Sequence, residues 1–253
     1  MRTLIVSDIH SNIVAFEAVL RDASSRGPID TIWSLGDIIG YGPRPNECLD
    51  TLRGHEHLGV AGNHDLGAIG ATALSRFNTA AATACAWNGT QLTEENRSYV
   101  ESLPSVIKTA QFTLVHASLR DPVWEYVVHE EAARGSFDLL TTPCLLLGHS
   151  HLPLVFAEDS LMPNAPPRIG PARHLTDGDT VDVGVTRAGR LIINPGSVGQ
   201  PRDGDPRAAY LILDHEAGTL AHFRVGYDIE AVQRDMKAAG LPPTLAQRLA
   251  HGL

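Results

Sequence analysis

Three observations predict an α/β fold for this chain. Short apolar runs rich in β-branched residues alternate with helical patterns through the first half. Several of these runs end in glycine, aspartate, asparagine and histidine, where open α/β sheets carry their ligand sites. The second half changes to short strands separated by Gly, Asp and Asn turns.

Residues 4–6 form a buried-strand pattern that runs into Asp8 and His10. Residues 12–25 place Val14, Ala15, Ala18 and Val19 at helical spacing, with Asn12 as N-cap and Gly27-Pro28 as the stop. Strands at 31–35 and 57–61 lead into Gly36-Asp37 and Gly62-Asn63-His64-Asp65. The alanine-rich stretch 68–87 reads as helical, and 94–103 as a helix ended by Pro104. Strands at 111–115 and 144–147 lead into His116 and Gly148-His149-Ser150-His151. Short strands at 181–185, 191–193, 209–213 and 220–225 predict a second sheet, largely antiparallel. Residues 159–171, with four prolines, predict an exposed loop or hairpin tip. The C-terminal stretch 228–253 predicts helices. Ile229, Val232, Met236 and Ala239 share one face closed by Gly240, and Pro242-Pro243 opens a second helix with Leu245 and Leu249. No repeat, low-complexity tract or domain boundary is visible, so a single domain over 1–253 is expected.

The 253 residues suffice for one well-filled core, and 43% hydrophobic with 19% charged residues is ordinary for a globular protein. A net charge of -9 argues against sequence-independent binding to nucleic-acid backbone, which needs clustered Lys and Arg. It leaves room for a nucleotide inside a metal-rich cleft. Cys48, Cys85 and Cys144 are odd in number and form no C-x-x-C, against both a disulfide framework and a thiolate zinc site. Buried, reduced thiols of a cytoplasmic protein are expected. The N-terminal apolar run is too short for a signal segment, and no stretch approaches a membrane span.

The polar blocks carry the chemistry. Asp8-Ile9-His10, Gly36-Asp37, Gly62-Asn63-His64-Asp65, His116 and Gly148-His149-Ser150-His151 bring together carboxylates, one amide oxygen and five imidazoles. Residues i and i+2 on an extended segment point the same way, so Asp8 with His10, and His149 with His151, can each act as a pair of ligands. A carboxylate such as Asp37 can bridge two cations. An all N/O donor set suits Mn, Fe, Ni, Co or Zn.

In order and content these blocks resemble the calcineurin-like metallophosphoesterase family, with its pattern D-x-H, G-D, G-N-H-[DE], H and G-H-x-H. All five stand here without a substitution. The segment 194–202, Asn-Pro-Gly-Ser-Val-Gly-Gln-Pro-Arg, is similar to a block in the bacterial and archaeal branch, close to the YfcE-like phosphodiesterases. The resemblance implies a four-layer αββα sandwich: two mixed sheets face to face, helices outside, the site at one edge. It implies a first metal on Asp8, His10, Asp37 and His151, and a second on Asp37, Asn63, His116 and His149. Two divalent cations less two carboxylates would leave about +2, a receptor for phosphate oxygens with a bridging hydroxide as nucleophile. Mn²⁺ is favoured, because oxygen-rich sites suit a harder ion. By the same resemblance His64 is the general acid, with Asp65 orienting it and keeping it protonated.

Other residues have two readings. Arg202 or the backbone of 194–202 would contact phosphate, or that segment is a structural turn. Arg120 would bind phosphate, or pair with Asp121 or Glu125. Tyr41 lies in a tight Gly40-Tyr41-Gly42-Pro43 loop expected beside the site, and G-x-G-x-x-G fails there at Pro45. Trp124 and Tyr126 would stack a base, or pack a core or interface. His55, His57, His129, His174, His215, His222 and His251 are given no ligand role. G-x-S-x-G fails at Leu152, against a serine hydrolase. The expected function is metal-dependent hydrolysis of a phosphodiester or small nucleotide. A dinucleoside polyphosphate or phosphomonoester is the alternative. A non-catalytic scaffold of this fold would typically lose the acid histidine, which His64 retains. Partners are a small substrate and no membrane, with a homo-oligomer left open.

Overall fold

The computed structural model describes residues 1–159, 168–184 and 189–253. The chain runs β1 (Arg2–Val6), α1 (Ile13–Ser25), β2 (Thr31–Ser34), α2 (Pro45–Arg53), β3 (His57–Gly59), α3 (Asn63–Ala68), α4 (Thr79–Gln91) and α5 (Glu94–Ser102). It continues β4 (Val106–Lys108), β5 (Phe112–Val115), α6 (Glu130–Leu139), β6 (Cys144–Leu146), β7 (Pro153–Asp159), β8 (Arg168–Ile169), β9 (Arg173–His174) and β10 (Thr180–Asp182). It closes with β11 (Arg190–Pro195), β12 (Ala208–Asp214), β13 (Thr219–Val225), α7 (Ile229–Ala238) and α8 (Pro243–Arg248).

Two mixed sheets result. One has the order β10-β13-β12-β1-β2-β3; the other is β4-β5-β6-β11-β7-β8, with β9 also on β7. Strand period two sorts their side chains into layers. Ile5 of β1, Cys144 and Leu146 of β6, and Leu191 and Ile193 of β11 meet in the core between the sheets. Their alternates face outward. Leu4 and Val6 pack with Phe16 and Val19 of α1 and Cys48 and Leu49 of α2. Leu145 and Ile192 pack with Ala133 and Phe137 of α6. Helix, sheet, sheet and helix therefore stack as four layers.

Local signals explain the helices that position the site. The Asn12 side chain accepts from Ala15 N at 3.1 Å and caps α1. Pro45 sits in the first turn of α2, where its missing N–H is no loss. The C-terminal helices form a satellite core with α4: Val232, Met236, Leu245 and Leu249 pack with Ala81, Ala84 and Tyr41.

Several expectations are corrected. The late strands do not make their own sheet. β10, β12 and β13 join β1 in the first sheet, while β11 enters the second beside β6. The periodicity shows a strand's existence but not its partner. The single helix expected over 68–87 is broken: α3 ends at Ala68, Gly70 takes φ +79°, and Asn78 starts α4 by accepting from Ala81 N. α2, α6, β4 and β7 have no counterpart in the sequence reading. The expected loop at 159–171 is bounded by β7 and β8, which pair antiparallel. Its residues 160–167 lie outside the described residues, as does Val185 of the strand expected at 181–185.

Phe16 is fully buried between α1 and the first sheet. Phe16→Ala should lower unfolding stability by about 3–5 kcal/mol through lost burial and an unfilled cavity. Urea denaturation followed by circular dichroism checks this, and a loss below about 1 kcal/mol would contradict the packing described.

Candidate metal centre

The polar blocks converge at the C-terminal ends of the parallel strands β1, β2, β3, β5 and β6. The loops after β1 and β2 extend the ladder beyond the sheet. Asp8 N donates to Gly36 O, His10 N to Asp37 O and Ser11 N to Ile38 O, each at 3.0 Å. Gly148 N donates to His116 O at 2.8 Å and joins the second sheet's loops likewise. Close approach requires glycine at two points. A Cβ on Gly62 would stand 2.1 Å from Asp37 Oδ1, and one on Gly148 would stand 1.8 Å from Ser7 Oγ.

The extended geometry expected for the paired ligands does not hold. Asp8, His10, Asp37, His149 and His151 all adopt left-handed backbone, with φ between +52° and +64°. This region is strained for most residues but tolerated best by Asn, Asp and His. Consecutive tight turns, rather than a pleated strand, aim these side chains inward.

Three buried groups of donors form among the described residues. Asp8, His10 and His151 make one, Asp37, His116 and His149 another, and His10, Asp37 and His64 a third that overlaps both. The contacts within them are short. His10 Nε2 faces His151 Nε2 at 3.1 Å, and His151 Nε2 lies 3.2 Å from Asp8 Oδ1. His116 Nε2 faces His149 Nδ1 at 3.2 Å, Asn63 Oδ1 at 3.1 Å and Asp37 Oδ2 at 3.4 Å. His10 Nε2 lies 3.7 Å from Asp37 Oδ2, so Asp37 also reaches the first group.

The outer ring nitrogens decide what these contacts mean. Each faces a backbone carbonyl: His10 Nδ1 to Ile39 O (3.3 Å), His151 Nδ1 to Gln200 O (2.5 Å), His116 Nδ1 to Leu35 O (2.8 Å) and His149 Nε2 to Trp124 O (3.1 Å). A carbonyl only accepts, so it holds the ring proton outward. The inward nitrogens of the neutral rings then present lone pairs to one another and to carboxylate oxygens. Asp8 Oδ1 is buried without a hydrogen-bond partner, while Oδ2 accepts from Ser7 Oγ and His149 N. Converging lone pairs with an orphaned anionic oxygen fit divalent cations.

Titration behaviour agrees. Burial pushes His149 down to about 3 and lowers His10 and His151. Burial also opposes the charge on His116, but Asp37 and Asp8 overcome it and lift His116 to about 9. In the metal-free protein the cluster's proton therefore rests on His116.

His64 is buried, with its Nδ1 unpartnered and its ring among Tyr41, His10 and Phe77. Its burial lowers it to about 4. Asp65 does not orient it. Asp65 Oδ1 accepts from Ile39 N and Oδ2 from Gly62 N, which ties the second and third loops together. Burial and the neighbouring Asp37 raise this carboxyl to about 7, so it is not the fixed anion expected beside His64.

Tyr41 and Arg202 line the cleft above the donors, with Arg76, Phe77, Trp124 and Tyr126. Arg202 donates only to neutral acceptors, Gln200 Oε1 and Tyr41 Oη. Arg120 is not in the cleft: it pairs with Glu125 and lies against Gly135. The turn reading of 194–200 describes its backbone. Ser197 Oγ and Gly199 N donate to Asp8 O, and Asn194 Nδ2 donates to Gly148 O and Ser150 Oγ. The pinning carbonyls of Leu35, Ile39, Trp124 and Gln200 escaped sequence reasoning, because a backbone acceptor leaves no residue signal. His222 bonds to the carbonyls of Thr176 and Pro195 in the core, away from the donors.

Metal uptake should displace the His116 proton. The sign follows from its raised value. Against the ordinary 6.5, His116 stabilises the metal-free fold fully below that value, and this contribution fades as pH rises through about 9. Metal affinity should correspondingly weaken as pH falls below about 9. Calorimetry at pH 7–8 in buffers of different ionisation enthalpy should show release of about one proton. Binding without buffer dependence would contradict the assignment.

Comparison with known proteins agrees with this geometry. The calcineurin-like phosphoesterase superfamily domain matches residues 1–218. A metallophosphoesterase from Sphaerobacter thermophilus of known crystal structure is 45% identical, with 100% of each chain covered and a TM-score of 0.86. An uncharacterized protein of Methanocaldococcus jannaschii is 36% identical over 255 residues, 98% of this chain and 97% of that protein. A symmetrical bis(5′-nucleosyl)-tetraphosphatase of Vibrio cholerae is 28% identical over 152 residues, 56% of this chain and 54% of its own. The chain belongs to the calcineurin-like phosphoesterase superfamily and is a metallophosphoesterase.

Proposed function

We propose that this protein hydrolyses a phosphodiester or small nucleotide at two divalent cations. Asp8, His10, Asp37 and His151 would hold one, and Asp37, Asn63, His116 and His149 the other. The observation that carries this reading is the pinned set of inward lone pairs, split into two buried groups that Asp37 joins. Manganese is the favoured ion, given carboxylate and amide oxygens among the imidazoles. Bound cations would supply Lewis acidity and an activated water.

The protein's own groups do the rest. Arg202 has its charge uncommitted and stands over the donors beside Tyr41, where a phosphate oxygen can accept from it. His64 lines the same cleft and is the group placed to give a proton to the leaving oxygen. Burial empties it of that proton in the resting site. The negative charge of a bound phosphate would act against that lowering and favour the protonated ring. The similarity to a protein named as a nucleosyl-tetraphosphatase supports a small nucleotide over a protein substrate.

The test is hydrolysis of bis-p-nitrophenyl phosphate and p-nitrophenyl phosphate by metal-stripped protein reloaded with Mn²⁺, Ni²⁺ or Zn²⁺. Turnover should require metal and favour the diester. His64→Ala should keep two ions per chain yet lower kcat about 100-fold or more. Asp37→Asn should lower metal content itself. Equal turnover by His64→Ala would remove His64 from proton transfer, and no turnover with any ion would sink the enzymatic proposal.

A further inference from the structure

The loop between β5 and α6 is built rigidly and ends over the site. Ala117 N donates to Pro122 O at 2.9 Å, and Asp121 Oδ1 accepts from Val123 N and Trp124 N. Glu125 is bonded by both Ser118 and Arg120, and Val127 is buried. Two aromatic side chains leave this loop into the cleft.

Trp124 fixes His149 through its carbonyl, while its ring packs edge-on to Phe77 and carries the Arg76 guanidinium 4.2 Å from its centre. Tyr126 lies flat on the His149 ring, with centroids 4.1 Å apart and planes 18° apart. One face of Tyr126 is thus covered, yet the residue stays 47% exposed, the other face turned to the cleft. Shielding His149 would need only an aliphatic side chain. A planar ring held parallel, with one face free and cations on neighbouring walls, is the arrangement that stacks a second planar ring. The cleft itself is small, about 100 Å³, and opens to solvent where Tyr126 and Trp124 line it, so a base on Tyr126 sits at its mouth.

We propose that Tyr126 and Trp124 form a stacking subsite beside the metal centre, which selects phosphoesters bearing a nucleobase. The phosphate lies over the donors under Arg202, and the base takes the open face of Tyr126 with Trp124 and Arg76 as the side wall. This rests on the phosphoesterase reading above and adds its specificity.

The experiment measures competitive inhibition of bis-p-nitrophenyl phosphate hydrolysis by adenosine 5′-monophosphate and by methyl phosphate, with metal content assayed in each sample. The wild type should bind the nucleotide about tenfold or more tightly than methyl phosphate, the fold-change of one stacked base. Tyr126→Phe should keep that ratio, and Tyr126→Ala should bring it towards one. Tyr126→Leu covers His149 without stacking, and should lose the ratio while keeping metal. A wild type without preference overturns the inference, and so does a Tyr126→Leu variant that retains it. Absence of turnover by metal-loaded wild type strikes the catalytic reading instead, and calorimetric binding of the same two ligands then decides the subsite.

Discussion

Imidazole nitrogens that face one another with no proton between them repel, and this molecule crowds four rings together with a single added proton, on His116, among them. The backbone carbonyls of Leu35, Ile39, Trp124 and Gln200 keep each ring's proton on the outer side. What remains inside is a set of lone pairs and carboxylate oxygens whose repulsion only a cation relieves. Metal affinity therefore comes from backbone geometry several bonds removed from the ligands. The centre is preorganised in the sense that the outer ring protons, and not only the side-chain positions, are set by the backbone.

That geometry is expensive locally and is supported by the rest of the fold. Five donor residues occupy left-handed backbone, each costing on the order of 1–3 kcal/mol for a strained residue. Two sheets with their own hydrophobic layers hold the ends of these turns. The segment 194–200 links the two. It bonds to Asp8 of the first sheet's loop, and to Gly148, Ser150 and His151 of the second. A sequence stretch with no ligand of its own thus references both donor groups to one frame. Tyr41 and Arg202, which bond each other across the cleft, are braced from outside by the C-terminal helices packed on Tyr41.

The residues that converge in the candidate site were legible in the sequence because strand ends and polar blocks coincide, and because Asp, His and Asn announce their chemistry. The sheet partners were not legible. β12 and β13 look like any hairpin, and nothing local says that β1 will insert beside β12. α2 was hidden by the glycines and prolines that precede it. Asp65 was misread as the partner of His64, because adjacency in sequence says little about direction on a helix's first turn. There its carboxylate turns back to Gly62 and Ile39. Arg120 shows the reverse difficulty. It had two readings, phosphate binding or pairing with Asp121 or Glu125, and the structure has the pair with Glu125 on the same loop.

The placement of β1 between β12 and β2 also sets an order of events during synthesis. Asp8 precedes Ser197 by 189 residues in the chain. Its carbonyl is bonded by Ser197 and Gly199, and its strand by residues 211–214. Residues up to 214 must be made before the turn around Asp8 closes, and such distant pairings form slowly. A growing chain can therefore display its first histidines long before it can enclose an ion with them. The buried arrangement of these donors belongs to the finished fold alone, because the turns that aim them are held by segments made last.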